Sequence, residues 1–392
     1  MAFAGAGIGQ APDRWRNAAR HQQMMKYFHV VVLVLASLVS CALPTPALAP
    51  VDVPTAEGEG EGEGEGEGEG EGEGEGQGEG EGEGEGEGEG EGPTTFARDV
   101  VCLPWSVPAD LYDQSVVPLE VNPNDPAARK IVLVAGAASA DHPEGQHEFF
   151  SVVALLAQVL CQTPGVTPVI VRDGWPSRDD VFDAAAAIVF YTDGGDAHPL
   201  GNADRAAVIQ RHIDRGAGFV NLHYAIEYPQ GTQAQALTWL GGVYEPGFSV
   251  NPMWTAHVDD VSGHEVRRGV PAFVIDDEWY FNMRFVIGGV TAIVQATPDD
   301  GLRRGVDAAA HPGRSEVMAW AFERPAGGRS FAFSGGHWYG NWLDSPETPY
   351  APAQRRVVAQ GILWTAGVTI PDGGVAVDVD PAEAGRYISR RP

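Results

Sequence analysis

The stretch GFVNLHYAIE, Gly218–Glu227, holds the reading of this chain. A glycine opens an apolar run that stops abruptly at His223-Tyr224, and Glu227 sits on the turn beyond. A short apolar run bounded by turn residues reads as a buried strand. In many α/β enzymes the residue ending such a strand is a nucleophile. Here it is a histidine, which leaves three options: an active site, a retired one, or a purely structural turn.

The flanking segments alternate strand and helix. KIVLVAGA, from Lys130, is a continuous apolar run ending in small residues, and HEFFSVVALLAQVLCQ follows with apolar residues at helical spacing. TPVIVRD and AAIVFYTD read as a second and a third strand, with a short helical segment around Arg178–Asp183 between them. ADRAAVIQRHIDRG reads as a helix closed by Gly216, and GFVNLHY is the fourth strand. This order predicts a parallel sheet flanked by helices on both faces. Ligands of such sheets bind outside the carboxyl ends of the strands, where His223, Asp193 and the Ala135–Asp141 turn fall.

The second half changes character. MWTAHVDDV, FVIDDEWYF, TAIVQATPD, EVMAWAFERP and GRSFAFSGGH are short strand candidates with little helix among them. Pro325-Ala326-Gly327-Gly328 predicts a hairpin turn, so antiparallel strands are added to the sheet here. AQRRVVAQGILWTAG closes the domain as a helix capped by Gly367.

The N-terminal third is different again. From Glu57 to Gly92 the chain alternates Glu and Gly, interrupted by Gln77, and removing the tract's seventeen glutamates takes the formal charge from −29 to −12. Such a tract buries no apolar surface and repels itself, so it reads as a disordered spacer. No run of Lys or Arg supplies the basic footprint of a nucleic-acid partner. Upstream, Val30–Val39 has the length of a signal-peptide core and is too short to span a bilayer. Leu38-Val39-Ser40-Cys41 is similar to a bacterial lipobox, which would lipidate Cys41 and tether the protein to a membrane; cleavage after Ala49 is the competing reading. Both readings export the protein. Cys102 and Cys161 then remain, free to pair or to stay apart. The expected organisation is a signal or lipoprotein segment (1–41), a linker (42–93), a loop-rich extension (94–129), an α/β domain (130–370) and a loose tail (371–392).

Taken in order, His147-Glu148, GFVNLHY, His257 with HEVRRGV, DDEWYFNMRF, GRSFAFSGGHWYGNW and ILWTAGV resemble the ThuA-like family, the trehalose-utilisation proteins. The resemblance covers about Lys130 to Val368. It implies the flavodoxin-like core of class I glutamine amidotransferases and a link to sugar metabolism, without a settled reaction. Amidotransferases of this fold place a cysteine at the elbow and a His-Glu pair late in the chain. Here the elbow is His223, and the late His337 has no Glu two residues on, so cysteine-dependent glutamine hydrolysis is excluded.

The candidate residues follow from these placements. His223 at a strand end can polarise a substrate oxygen, shuttle a proton, ligate a metal, or simply hold its turn. Tyr224 beside it is placed to touch a substrate. His337 follows two glycines and precedes Trp338, Tyr339 and Trp342, a setting that suits a sugar ring stacking on indole, or else an aromatic plug. Glu278, between apolar runs, is an acid–base candidate or the partner of Arg284, while Asp276 and Asp277 read as turn or surface residues. His147 and His257 are secondary substrate-binding candidates. His264 reads as a helix start, and His142, His198 and His311 as loop residues.

No H-x-x-x-H or H-E-x-x-H spacing marks a metal site, so a divalent ion rests on His147, His223, His257 and His337 converging. No phosphate-cradling motif implies a nucleotide. Two functions stand: an exported enzyme using His337, Glu278 and His223 on a sugar or sugar derivative, by hydrolysis, elimination or isomerisation, or a carbohydrate-binding domain on a flexible tether.

Overall fold

The computed structural model describes residues 127–137, 147–259, 263–338 and 351–379. The signal, lipobox and linker segments, most of the 94–129 extension, Cys41, Cys102, His142 and Trp342 lie outside the described residues. Among the described residues, no helix is long and apolar enough to cross a membrane.

Eleven strands are described: β1 Arg129–Ala135, β2 Val166–Val171, β3 Ala187–Tyr191, β4 Gly218–Leu222, β5 Gly242–Val243, β6 Met253–Val258, β7 Phe273–Glu278, β8 Arg284–Phe285, β9 Thr291–Ala296, β10 Glu316–Glu323 and β11 Arg329–Phe333. The main helices are α1 Phe149–Cys161, α2 Ala203–Asp214, α3 Gln233–Leu240 and α4 Ala351–Thr365. Seven strands form one sheet in the order β2-β1-β3-β4-β11-β10-β9. The first five are parallel, and β10 and β9 add on antiparallel. The sheet is therefore the expected mixed one. The hairpin at Pro325–Gly328 is present, with Arg324 N donating to Gly328 O at 3.1 Å.

The apolar runs are continuous because both faces of the sheet are covered. Along β1, Ile131, Leu133 and Ala135 join one core with α1, α4 and the β6–β7 ribbon. Val132 and Val134 join the other, with α2 and α3. The same alternation recurs in β3, where Val189 and Tyr191 face the first core and Ile188 and Phe190 the second. α2 ends at Gly216, whose φ of +89° is the left-handed conformation that a glycine adopts without strain.

One expectation needs correction, and one helix was not anticipated. The tail beyond Pro371 is not loose through residue 378: Val375 and Val377 are buried, and Arg355 Nε and Arg356 Nε reach Val377 O (3.2 Å) and Val375 O (3.0 Å). Isolated valines in a Pro/Gly-rich tail carry no periodicity, so only their burial under α4 reveals them. The chain between Tyr228 and Gly242 also holds α3, a helix too short and too weakly patterned to stand out in the sequence. Cys161 is disulfide-bonded, and its partner lies outside the described residues.

Candidate metal centre

Four elements deliver one cluster. His147 lies between β1 and α1, His223 directly follows β4, Glu278 ends β7, and His337 follows β11. Because β1, β4 and β11 are parallel, all three histidines arrive at the carboxyl edge of the sheet. A single ligand atom from each of the four residues lies within 4.8 Å of the others.

The geometry is tight. His147 Nε2 stands 3.1 Å from His223 Nε2 and 3.3 Å from His337 Nε2. Glu278 Oε2 stands 3.4 Å from both His223 Nε2 and His337 Nε2. The Tyr280 hydroxyl completes the rim, 3.4 Å from His223 Nε2 and from Glu278 Oε2. His223 is fully buried, whereas Glu278 and His337 keep 19% and 17% of their side-chain surface, so the cluster is reached from one side.

His223, Glu278 and His337 are held from behind. His223 has φ +53°, a left-handed conformation that costs a non-glycine residue about 1–2 kcal/mol. A 3-10 turn over His223–Ile226 follows it, and Asn221 Nδ2 secures that turn by donating to Ala225 O at 2.5 Å and Tyr228 Oη at 2.8 Å. The His223 ring gives its Nδ1 proton to Ser334 O at 2.8 Å, which in the neutral ring leaves the Nε2 lone pair facing the centre.

Asp277 is the residue the sequence reading placed wrongly: it is wholly buried. Its Oδ1 accepts the backbone N–H groups of Glu278 (2.8 Å), His337 (2.9 Å) and Gly336 (3.2 Å), and its Oδ2 accepts Gln354 Nε2 (2.9 Å). One carboxylate thus fixes both loops that carry Glu278 and His337. Asp276, its neighbour, is exposed as expected and bonds Thr255. A buried Asp in a strand end carries no local signal. The available clue was the alternation of β7, which turns residues 273, 275 and 277 to one side.

Charge follows from the proton count. Two acceptors, His223 Nε2 and Glu278 Oε2, face each other, so the centre favours an added positive charge. Burial opposes ionising His223, yet the hydrogen bond and charge of Glu278, with the charge of Asp277, outweigh it and raise its pKa. Burial would raise Glu278, yet His223 and His337 hold its carboxyl below the ordinary range.

The other candidates separate. Tyr224 is half-buried with its ring 5.9 Å from that of His147, at the margin of the cluster. Trp338 is fully buried and stacks on Tyr191 (5.2 Å, 18°), so it is core and presents no face to a sugar. His257 stands exposed on β6, whose strict alternation turns Trp254, Ala256 and Val258 inward, and it is not part of the cluster. The glycines before His337 serve close packing: a Cβ on Gly336 would lie 2.2 Å from His223 Cβ and Cγ, and one on Gly335 2.8 Å from Asp277 Oδ2. Glu278 does not pair with Arg284, which binds Glu245 at 2.8 and 2.9 Å instead. His264 caps a short 3-10 helix by accepting Val266 N, as its sequence position suggests.

A cavity of about 750 Å³ opens at the opposite edge of the sheet, among Arg129, Arg215, Arg324 and Arg329. Arg324 spends its donors on Gly327 O, Arg329 O and Ala217 O, and Arg215 on Phe182 O and Ala185 O. These arginines cap strand and turn carbonyls. The chemistry belongs to the carboxyl edge.

The sheet order defines a flavodoxin-like α/β protein with a histidine, His223, at the end of its fourth strand. More narrowly, the chain belongs to the ThuA family, described as trehalose utilisation, whose profile matches residues 136–365. Among solved structures it is similar to a ThuA-like protein from Bacteroides uniformis, at 15% identity and TM-score 0.45, covering 62% of this chain and 93% of that one. A ThuA-like protein from Parabacteroides merdae is similar at 16% identity and TM-score 0.45, covering 64% and 93%. PurLQS from Thermotoga maritima follows at 13% identity and TM-score 0.33, covering 61% and 97%. No curated protein matches.

Proposed function

We propose that this protein is a metal-dependent enzyme acting on a sugar or sugar derivative, with His147, His223, His337 and Glu278 holding one divalent first-row ion. The observation that carries the reading is the spacing of the four ligand atoms. A four-coordinate ion with bonds of about 2.0–2.1 Å sets its ligands about 3.3 Å apart. The four short separations here are 3.1, 3.3, 3.4 and 3.4 Å. Three imidazoles and one carboxylate suit zinc, iron or nickel in donor type. Ser334 O behind His223 and Asn251 Nδ2 behind Glu278 (3.3 Å) supply the outer support that such ligands require.

A bound ion would polarise a hydroxyl or carbonyl oxygen of the substrate. The protein's own part is to hold that oxygen beside Tyr280 and Tyr224 and to keep the inner wall dry through buried His223. The sugar class rests on the family description together with these tyrosines, whose rings and hydroxyls suit a polyol. Metal-holding replaces the acid–base roles first expected of His337 and Glu278, because both face the cluster rather than an open cleft.

The test is elemental analysis of purified protein, then turnover of disaccharides, trehalose included, and their oxidised derivatives. About one ion per chain is expected. His147→Ala and His337→Ala should each weaken metal binding at least about a hundredfold and abolish turnover while the circular dichroism spectrum is retained. Protein that stays metal-free after exposure to zinc, iron, nickel and manganese would sink the reading. Sugar binding without any product would favour a carbohydrate-binding domain instead.

A further inference from the structure

Beyond the elbow lies a carboxylate with nothing to hold. Glu227 follows the His223–Ile226 turn; its amide donates to Tyr224 O at 3.0 Å and its carbonyl accepts Gly195 N at 2.9 Å, so its backbone is fixed. Its side chain is half-buried, yet among the described residues the carboxylate makes no hydrogen bond or ion pair. Comparable carboxylates here are matched: Asp277 by four donors, Glu245 by Arg284, and Glu316 by Arg303 and Arg314. A half-buried carboxylate with no protein partner stays open to water, to a ligand or to a proton.

Glu227 neighbours the centre through Tyr224, whose ring lies 5.9 Å from that of His147. Its charge and that of Glu278 both bear on the phenols of Tyr224, Tyr244 and Tyr280. Tyr280 in turn touches His223 and Glu278. The space beside Glu227 is kept open by Gly195, at φ +56°. A Cβ there would sit 3.4 Å from Glu227 Oε1 and 3.5 Å from Tyr224 Oη, filling the gap between them.

We propose that Glu227 is the proton-transfer residue of this site, with the Tyr224 hydroxyl binding the same substrate beside it. The inference rests on the metal-dependent reading above. In the forward step the carboxylic acid of Glu227 gives its proton to a substrate oxygen: its O–H bond breaks, a substrate O–H bond forms, and Glu227 is left as the carboxylate. A later step returns a proton to it, so no oxidant or other reagent is consumed. The groups facing it are consistent with this work. Burial, with the charge of exposed Asp196, pushes its pKa up to about 7, while Tyr224, Tyr244 and Tyr280 are neutral phenols. A carboxyl titrating near 7 is matched to proton transfer at neutral pH.

Glu227→Gln separates function from structure. A folded pKa above the unfolded one means that ionising Glu227 between pH 5 and pH 8 penalises the folded state, and glutamine removes the penalty. The variant should therefore melt higher than the wild type at pH 8 and equally at pH 5, and retain its metal. It should lose 10²- to 10⁴-fold in turnover of whichever panel disaccharide the wild type processes, by the usual magnitude for a general acid. Unchanged turnover, a lower Tm at pH 8 or loss of the metal would each overturn the proposal. Metal-free wild type would sink the earlier reading and leave the Tm at pH 8 to decide whether Glu227 is an unmatched charge. Metal-loaded wild type that turns over no sugar would sink both.

Discussion

His198 shows what a buried histidine looks like when its work is structural. Its Nε2 meets Ala225 O at 3.0 Å, its Nδ1 accepts Leu200 N at 3.0 Å, and its ring stacks on Tyr228 at 4.3 Å. Both ring nitrogens are spent on backbone, and burial pushes its pKa down to about 4. A folded pKa below the unfolded one gives stability that is present above about pH 6.5 and lost as pH falls toward 4, about 3 kcal/mol for this shift. Urea denaturation at pH 7 and pH 4.5 should show that loss in the wild type and a smaller one in His198→Asn; equal losses would refute the assignment. His223 is equally buried but differs in kind, since only its Nδ1 is spent on backbone. Histidine at position 223 was legible from its place at a strand end. That His198 works for the fold and Asp277 for the site was not, because neither differs in sequence from an ordinary loop or surface residue.

At the scale of elements, the Gly335-Gly336 corner after β11 is where packing and site meet. It packs directly on His223 and Asp277, and Tyr191 Oη donates to Gly336 O at 2.5 Å to hold it there. Gly336→Ala must push the corner or the His223 ring aside, at a cost of about 1–3 kcal/mol typical of overpacking. Metal affinity should fall at least about tenfold, read by competition with a chelator; wild-type affinity together with wild-type stability would show that the corner has slack. The β6–β7 ribbon teaches the converse. Its alternation was plain in the sequence, but which face met the core was not, so His257, a substrate-binding candidate, stands exposed and apart from the cluster.

At the scale of the molecule, the centre exists because three histidine-bearing segments end at one edge of the main sheet and the separate β6–β7 ribbon brings Glu278 against them. Residues 147, 223, 278 and 337 belong to four segments, and none could bind an ion alone. An ion that binds only the folded chain stabilises it by mass action, about 4 kcal/mol at a thousandfold excess over Kd. Calorimetry should therefore show a Tm higher by roughly 10 °C with saturating metal than after chelation, using the shift per kcal/mol expected for a domain of this size. The difference should vanish in His147→Ala; a Tm indifferent to metal in the wild type would count against a site built at this edge.

The order of the seven sheet strands with α1, α2 and α4, the antiparallel addition, the hairpin at Pro325–Gly328 and the histidine elbow were all written locally, in apolar periodicity and turn residues, and could be read without coordinates. Convergence was not, because ligand spacing across 190 residues of chain, from His147 to His337, leaves no short-range pattern. Only the tertiary structure placed Glu278 against two histidines, buried Asp277 behind them and left Glu227 unmatched. The reason is physical: periodicity records which face of an element avoids water, whereas a site is defined by the relative positions of elements, which packing alone decides.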